Sequence, residues 1–208
     1  MRKVIIALAG TLAFAASPSQ AAVVASLGGG PGTLTLSSAG LNGGSVATLS
    51  GGTVYTSDQP FADIPKGGIF GGTFLAAGPT SGAPATLTFT SPVKYLSFLI
   101  GSPDLYNLLT ITTDLGTQTF TPSTLNFPVT DGNQSVSQYV KFRATVGDNI
   151  KSVSFTNLPN KDAFESANFS INSGVPEPAT WALMLLGVGG TGFALRRSRK
   201  QAQVAQTA

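Results

Sequence analysis

Eight carboxylates and a few scattered aromatic rings are the only side chains in the central part of this chain that suggest chemistry. Its 208 residues include no Cys and no His. That removes thiolate and imidazole nucleophiles and bases, disulfides, zinc-finger spacing, haem ligation and the Ser-His-Asp triad together. What remains is the chemistry of Asp58, Asp63, Asp104, Asp114, Asp131, Asp148, Asp162 and Glu165. Two such acids facing each other across a glycosidic bond could hydrolyse it. Most of these, however, stand beside Gly, Pro or Asn, where a carboxylate ordinarily serves the turn itself. No Asp-x-Asp-x-Asp-Gly loop occurs, so a structural Ca2+ would have to be assembled from turn groups, with Asp162 and Glu165 as the candidates. No other metal and no cofactor is expected. A sugar site needs a ring for stacking beside polar groups that fix hydroxyls, and Asp104, Tyr106 and Asn107 lie together in one short stretch that offers both. The run Gly28-Gly29-Gly30-Pro31-Gly32 is followed by neither Lys-Ser nor Lys-Thr, so it is no phosphate loop. It reads as part of a flexible segment, residues 22–32.

The elements that must position these groups are strands. Only 10% of the residues are charged, 25 are Gly and 13 are Pro, a composition that excludes a helical bundle and, lacking a three-residue period, collagen. Residues 85–90 alternate, with Leu87 and Phe89 on one side and Thr86, Thr88 and Thr90 on the other, the pattern of a half-buried strand. Residues 93–100 are apolar on both sides, which predicts a central strand covered on both faces. In residues 136–146, Val136, Val140, Phe142, Ala144 and Val146 share a face opposite Tyr139, Lys141 and Arg143. Further strands are expected at 108–113, 117–121, 150–156 and 164–171, with weaker ones before residue 75 and Gly- or Asp-marked turns between them. Alternate threonines at 86–90 and 117–121 follow from strand propensity on a solvent face rather than from an ice-binding array. Eight to eleven short strands in one domain over residues 22–175, without an amphipathic helix, predict an all-β fold: an antiparallel β-sandwich of jelly-roll type.

Both ends of the chain read as addresses. Arg2-Lys3, an apolar run over residues 4–16 and then Ser17-Pro18-Ser19-Gln20-Ala21 form a secretory signal peptide, residues 1–21, with cleavage expected between Ala21 and Ala22. The Sec translocon and signal peptidase are the implied partners. At the other end Pro176, Glu177 and Pro178 precede Trp181-Ala182, an apolar stretch over 181–195 and the cluster Arg196, Arg197, Arg199 and Lys200. The prolines keep the chain extended, the indole suits a membrane interface, and the basic cluster acts as a stop-transfer signal retained in the cytoplasm. As a transmembrane helix, residues 181–195 would span only about 22 Å, short of a hydrocarbon core of about 30 Å. Four of those residues are Gly, so the segment is a poor permanent anchor. Residues 201–208 are expected to form a disordered cytoplasmic tail. Between the ends, six basic residues face eight acidic ones without a basic cluster, which excludes nucleic acid as a partner.

The tail at 176–200 resembles the PEP-CTERM sorting signal in its PEPxxWA variant. The resemblance implies processing by an exosortase, a membrane transpeptidase-like enzyme, in a Gram-negative bacterium that produces exopolysaccharide. Pro176, Glu177, Pro178, Trp181 and Ala182 would be the recognised residues. Residues 97–107 and 163–169 resemble positions in exosortase-dependent surface proteins, whose bodies are similar to galactose-binding-like sandwiches; that resemblance brings no catalytic residue. The expectation is a non-enzymatic secreted or cell-surface protein, anchored transiently in the inner membrane with body out and tail in, and working with extracellular polysaccharide. The rivals are a carbohydrate-processing enzyme on a sandwich fold and a permanently anchored envelope protein.

Overall fold

The computed structural model describes residues 23–172. The signal peptide with its Ala21–Ala22 junction, the sorting segment 176–200 and the tail 201–208 lie outside the described residues.

Among the described residues thirteen strands form two sheets in which every pairing is antiparallel. Sheet one contains β1 (Val23–Leu27), β5 (Thr53–Tyr55), β6 (Phe74–Ala77), β8 (Tyr95–Gly101), β11 (Ser137–Ala144) and β13 (Phe164–Asn172), in the order β1-β11-β8-β13-β6-β5. Sheet two contains β2 (Leu36–Ser37), β3 (Gly40–Leu41), β4 (Ala47–Ser50), β7 (Ala85–Val93), β9 (Asn107–Thr113), β10 (Thr117–Phe120) and β12 (Ile150–Asn157), in the order β10-β9-β12-β7-β4-β3-β2. From β6 to β13 the chain changes sheet at every step except β9 to β10.

The sheets face each other because period-two alternation gives each one an apolar side. In β7 the side chains of Ala85, Leu87 and Phe89 are buried, while Thr88 and Thr90 are exposed. In β9, Leu109 and Ile111 point inward. Phe98 of sheet one lies 5.3 Å from Phe155 of sheet two, ring centre to ring centre, and Phe142 and Phe169 close around it at 5.8 and 5.4 Å. In β12 the buried set changes phase between Ile150 and Val153, where the register shifts against both neighbours, so a bulge keeps both residues inward.

Sheet one is covered on its outer face too. β8 is buried from Leu96 to Gly101, as its apolar run predicts. The cover comes from loops. Gly29 approaches Ser97, Pro65 lies against Gly101, and Phe74, Ala76, Ala163 and Ala167 make a second small core with Ala62, Phe61 and Ile64 of the β5–β6 connection.

Two expectations are corrected. Residues 23–27 are not flexible: they form β1, whose five residues pair with Ala144 back to Val140 of β11, and Val23 is buried. The following glycines are seated over sheet one. Val146 does not share the buried face of Val140 and Phe142, because β11 ends at Ala144 and Val146 stands 95% exposed in the turn beyond it.

Candidate functional site

One end of the two sheets gathers four connections: β5–β6, β8–β9, β10–β11 and β12–β13. Local hydrogen bonding builds the β8–β9 loop. The Asn107 side-chain carbonyl accepts from the Asp104 N–H at 2.7 Å, and the Asn107 N–H donates back to the Asp104 carbonyl at 3.0 Å, a β-turn closed by a second, side-chain bond. The Asn107 amide donates in turn to the Asn157 side-chain carbonyl at 3.1 Å, and the Asn157 amide donates to the carbonyls of Ala77 and Lys161. This buried amide relay fixes the β8–β9 and β12–β13 loops relative to β6. The β10–β11 loop joins through the Gly132 N–H, which donates to the Pro103 carbonyl at 3.1 Å. A side chain at position 132 would stand within 3 Å of the Asp104 carboxylate, and the backbone there has φ +72°, so glycine suits the position on both counts.

Between these loops lies a pocket of about 190 Å3, lined by Pro60, Phe61, Asp63, Ser102, Asp104, Tyr106, Gly132, Gln134, Asp162, Ala163 and Glu165. The fold therefore brings Asp104 and Tyr106 together with Asp162 and Glu165, which the sequence offered as separate candidates. Asn107 does not line the pocket. It is buried, and both ends of its amide are committed to the relay.

Each acid has a different role. The Asp162 carboxylate accepts from the Thr80 N–H at 3.1 Å and the Thr80 hydroxyl at 2.6 Å, and its backbone carbonyl accepts from the Tyr106 hydroxyl at 3.0 Å. It holds the wall. Glu165 is 3% exposed; its carboxyl meets the Ser102 hydroxyl at 2.9 Å and the Asp63 N–H at 3.4 Å. Burial pushes the Glu165 carboxyl up to about 8, against the opposing pull of these hydrogen bonds. At neutral pH it keeps its proton and gives the pocket an acid donor. Tyr106 is raised above its ordinary value, first by burial and then by the Asp104 carboxylate beside it. The Lys161 ammonium lies over its ring, 5.4 Å from the centre, on a face a sugar could otherwise stack against. Phe61, half-buried in the lining and in edge contact with Tyr55, is the other ring available. Among the described residues no group of three or more Asp, Glu, His or Cys side chains could hold a metal ion.

Sequence reasoning placed Asp63 only among the eight candidate acids, and missed Phe61, Ser102 and Gln134. Asp63 and Phe61 sit in the β5–β6 connection, more than a hundred residues from Glu165 along the chain, and no spacing rule ties them together. Gln134 belongs to a loop legible only as a turn.

A family model for the PEP-CTERM protein-sorting motif matches residues 174–200. The match spans the Pro-Glu-Pro, Trp181-Ala182, the apolar stretch and the basic cluster through Lys200. The chain therefore carries a PEP-CTERM sorting motif, consistent with a PEP-CTERM sorting-domain protein. That motif implies exosortase-dependent processing, and supports export to the surface or exterior of a Gram-negative cell. No curated protein and no solved structure matches the chain.

Proposed function

We propose that this protein is a non-enzymatic component of the cell surface or extracellular matrix whose β-sandwich holds polysaccharide in the Asp104–Glu165 pocket. On this reading the Sec translocon exports it and signal peptidase cuts it after Ala21. The 181–195 segment then anchors it transiently until the exosortase acts. The strand orders β6-β13-β8-β11 and β7-β12-β9-β10 support a jelly-roll, two Greek keys wound into facing sheets, the architecture expected of a galactose-binding-like body.

The observation that carries the binding assignment is the lining: a protonated Glu165, carboxylates of Asp63 and Asp104, the Gln134 amide and an aromatic ring converge on space for about one sugar residue. The surplus of carboxylates favours a neutral or amino sugar over a uronate, because like charges in a partly desolvated cleft repel.

Binding of the producing organism's own polysaccharide, followed by calorimetry or on a glycan array, is expected for the native protein and lost, about tenfold or more, in Asp104→Ala, as for a polar group left unpaired. A native protein that retains no polysaccharide refutes the assignment. Turnover of the polysaccharide that vanishes with Glu165→Gln or Asp63→Asn would replace it with the enzyme reading, for which a raised acid beside other carboxylates is the argument.

Processing has its own test. With exosortase present, the mass of the secreted form should correspond to a chain lacking the basic cluster, and Glu177→Ala should leave the tail intact. An intact tail on the native mature protein would instead favour permanent anchoring.

A further inference from the structure

The end of the sandwich opposite the pocket is where the chain leaves for its tail. β13 finishes at Asn172, whose carbonyl accepts from the Lys94 N–H at 3.0 Å. Eight residues, 173–180, separate it from the apolar stretch that begins at Trp181. Fully extended they reach about 28 Å. The same end carries the β9–β10 turn and the β11–β12 turn, tied into one cluster. The Leu115 N–H donates to the Asp148 carboxylate at 3.2 Å, the Asp114 N–H to the Asn149 carbonyl at 3.1 Å, and the Asn149 amide to the Asp114 carboxylate at 2.7 Å. Asp148 is wholly buried beneath the cluster, and its carbonyl accepts from the Lys94 ammonium. Two apolar side chains are held out from this frame into solvent, Leu115 at 70% and Val146 at 95% exposure.

Charge divides along the same axis. Around the pocket end stand the acids Asp63, Asp104, Asp131 and Asp162, with Lys161 over the Tyr106 ring. Near the tail end stand Lys94, Arg143 and Lys151, with Asp114, which pairs with Lys151 at 2.8 Å, and the buried Asp148. Leu105 and Leu158 are also exposed, at the pocket end, but the acids there oppose approach to an anionic surface.

We propose that the Leu115–Val146 turn cluster docks on the anionic lipid surface of the inner membrane while the tail is still anchored, which holds the acidic pocket outward. The proposal rests on the transient-anchor reading. A tether this short gives a weak surface contact a high effective concentration. Exposed apolar tips flanked by basic residues suit a headgroup layer. Cleavage of the tail ends the tethering, and the contact goes with it.

Because the native chain has no Cys, a single Val146→Cys or Leu115→Cys carries a polarity-sensitive fluorophore, with Leu105→Cys as the opposite-end control. The full chain is bound through its tail to vesicles of mixed anionic and zwitterionic lipid. The label at 146 and at 115 should shift to the blue and resist an aqueous quencher several-fold better than the label at 105. In purely zwitterionic vesicles that difference should shrink, and a Leu115→Asp change should reduce the shift at 146. Equal quenching at all three positions on a chain that floats with the vesicles overturns the docking alone. A chain that does not float with them overturns the anchor reading and the docking with it.

Discussion

Glu165→Gln is expected to flatten the protein's stability against pH and to make it the more stable form in alkali. The sign follows from the carboxyl's position. In the unfolded chain it titrates near 4.5, and in the fold burial raises it to about 8. Between these values the folded state keeps a proton that the unfolded state has released, so stability falls as pH rises through the window and levels off above it. The slope is about 1.4 kcal/mol per pH unit, and the full loss is on the order of 5 kcal/mol, comparable with the whole stability of a small domain. Glutamine keeps the volume and the capacity to meet Ser102 and the Asp63 N–H without a charge to bury. Asp114, drawn below its ordinary value by hydrogen bonds from Lys151 and then Asn149, acts below this window and leaves the comparison clean. Urea unfolding at a series of pH values should give nearly equal midpoints for the two proteins near pH 4 and a widening gap up to pH 8. Parallel curves would mean that water reaches Glu165 in the folded state.

That carboxyl also marks how far the sequence could be read. Alternation placed β7, β9, β10, β11 and β12, and the doubly apolar run placed β8, because in each the side chains face a surface that the pattern itself encodes; β13, expected at 164–171, is buried at six successive residues whatever their polarity. β2 to β5 are two to four residues long, too short for any period to register, and they exist because β7 and β6 offer ladders to pair with. β1 was hidden by the glycines beside it, whose usual meaning is freedom; its order comes from five pairings to residues 140–144 of β11, far away along the chain. Asp104, Tyr106, Asp162 and Glu165 could each be picked out by residue type, yet nothing in their spacing says that they share one pocket. Burial, not type, makes Glu165 an acid donor. Asn107 looked like a ligand because Asn fixes hydroxyls, and the fold uses that same capacity to hold Asp104 and Asn157. The sorting motif was legible because it is read as a linear string and needs no tertiary context.

The glycine run supplies the sharpest contrast between a local and a tertiary reading. Gly32→Ala should cost about 3 kcal/mol, at the upper end of ordinary overpacking, while Gly30→Ala two residues earlier should be neutral or slightly stabilising. A methyl at position 32 would stand 2.2 Å from the backbone of Asn168 and from the Phe169 carbonyl, whereas one at position 30 meets nothing within 4 Å. Neither the chain at 32 nor its neighbour can readily give way. Asn168 sits in the irregular stretch of β13 with φ +56°, a conformation that Asn tolerates better than most residues. Its side chain is fixed three times over: it accepts from the Phe70 N–H and donates to the Gly68 carbonyl at 3.0 Å and the Tyr139 hydroxyl at 2.7 Å. Displacing that backbone would strain the strand that carries Glu165 near its start. At position 30 the added methyl acts mainly on the unfolded chain, by narrowing its conformations. Denaturant midpoints for the two variants separate the readings directly. A flexible leader gives two proteins indistinguishable from the native one, and a leader seated on β13 gives one.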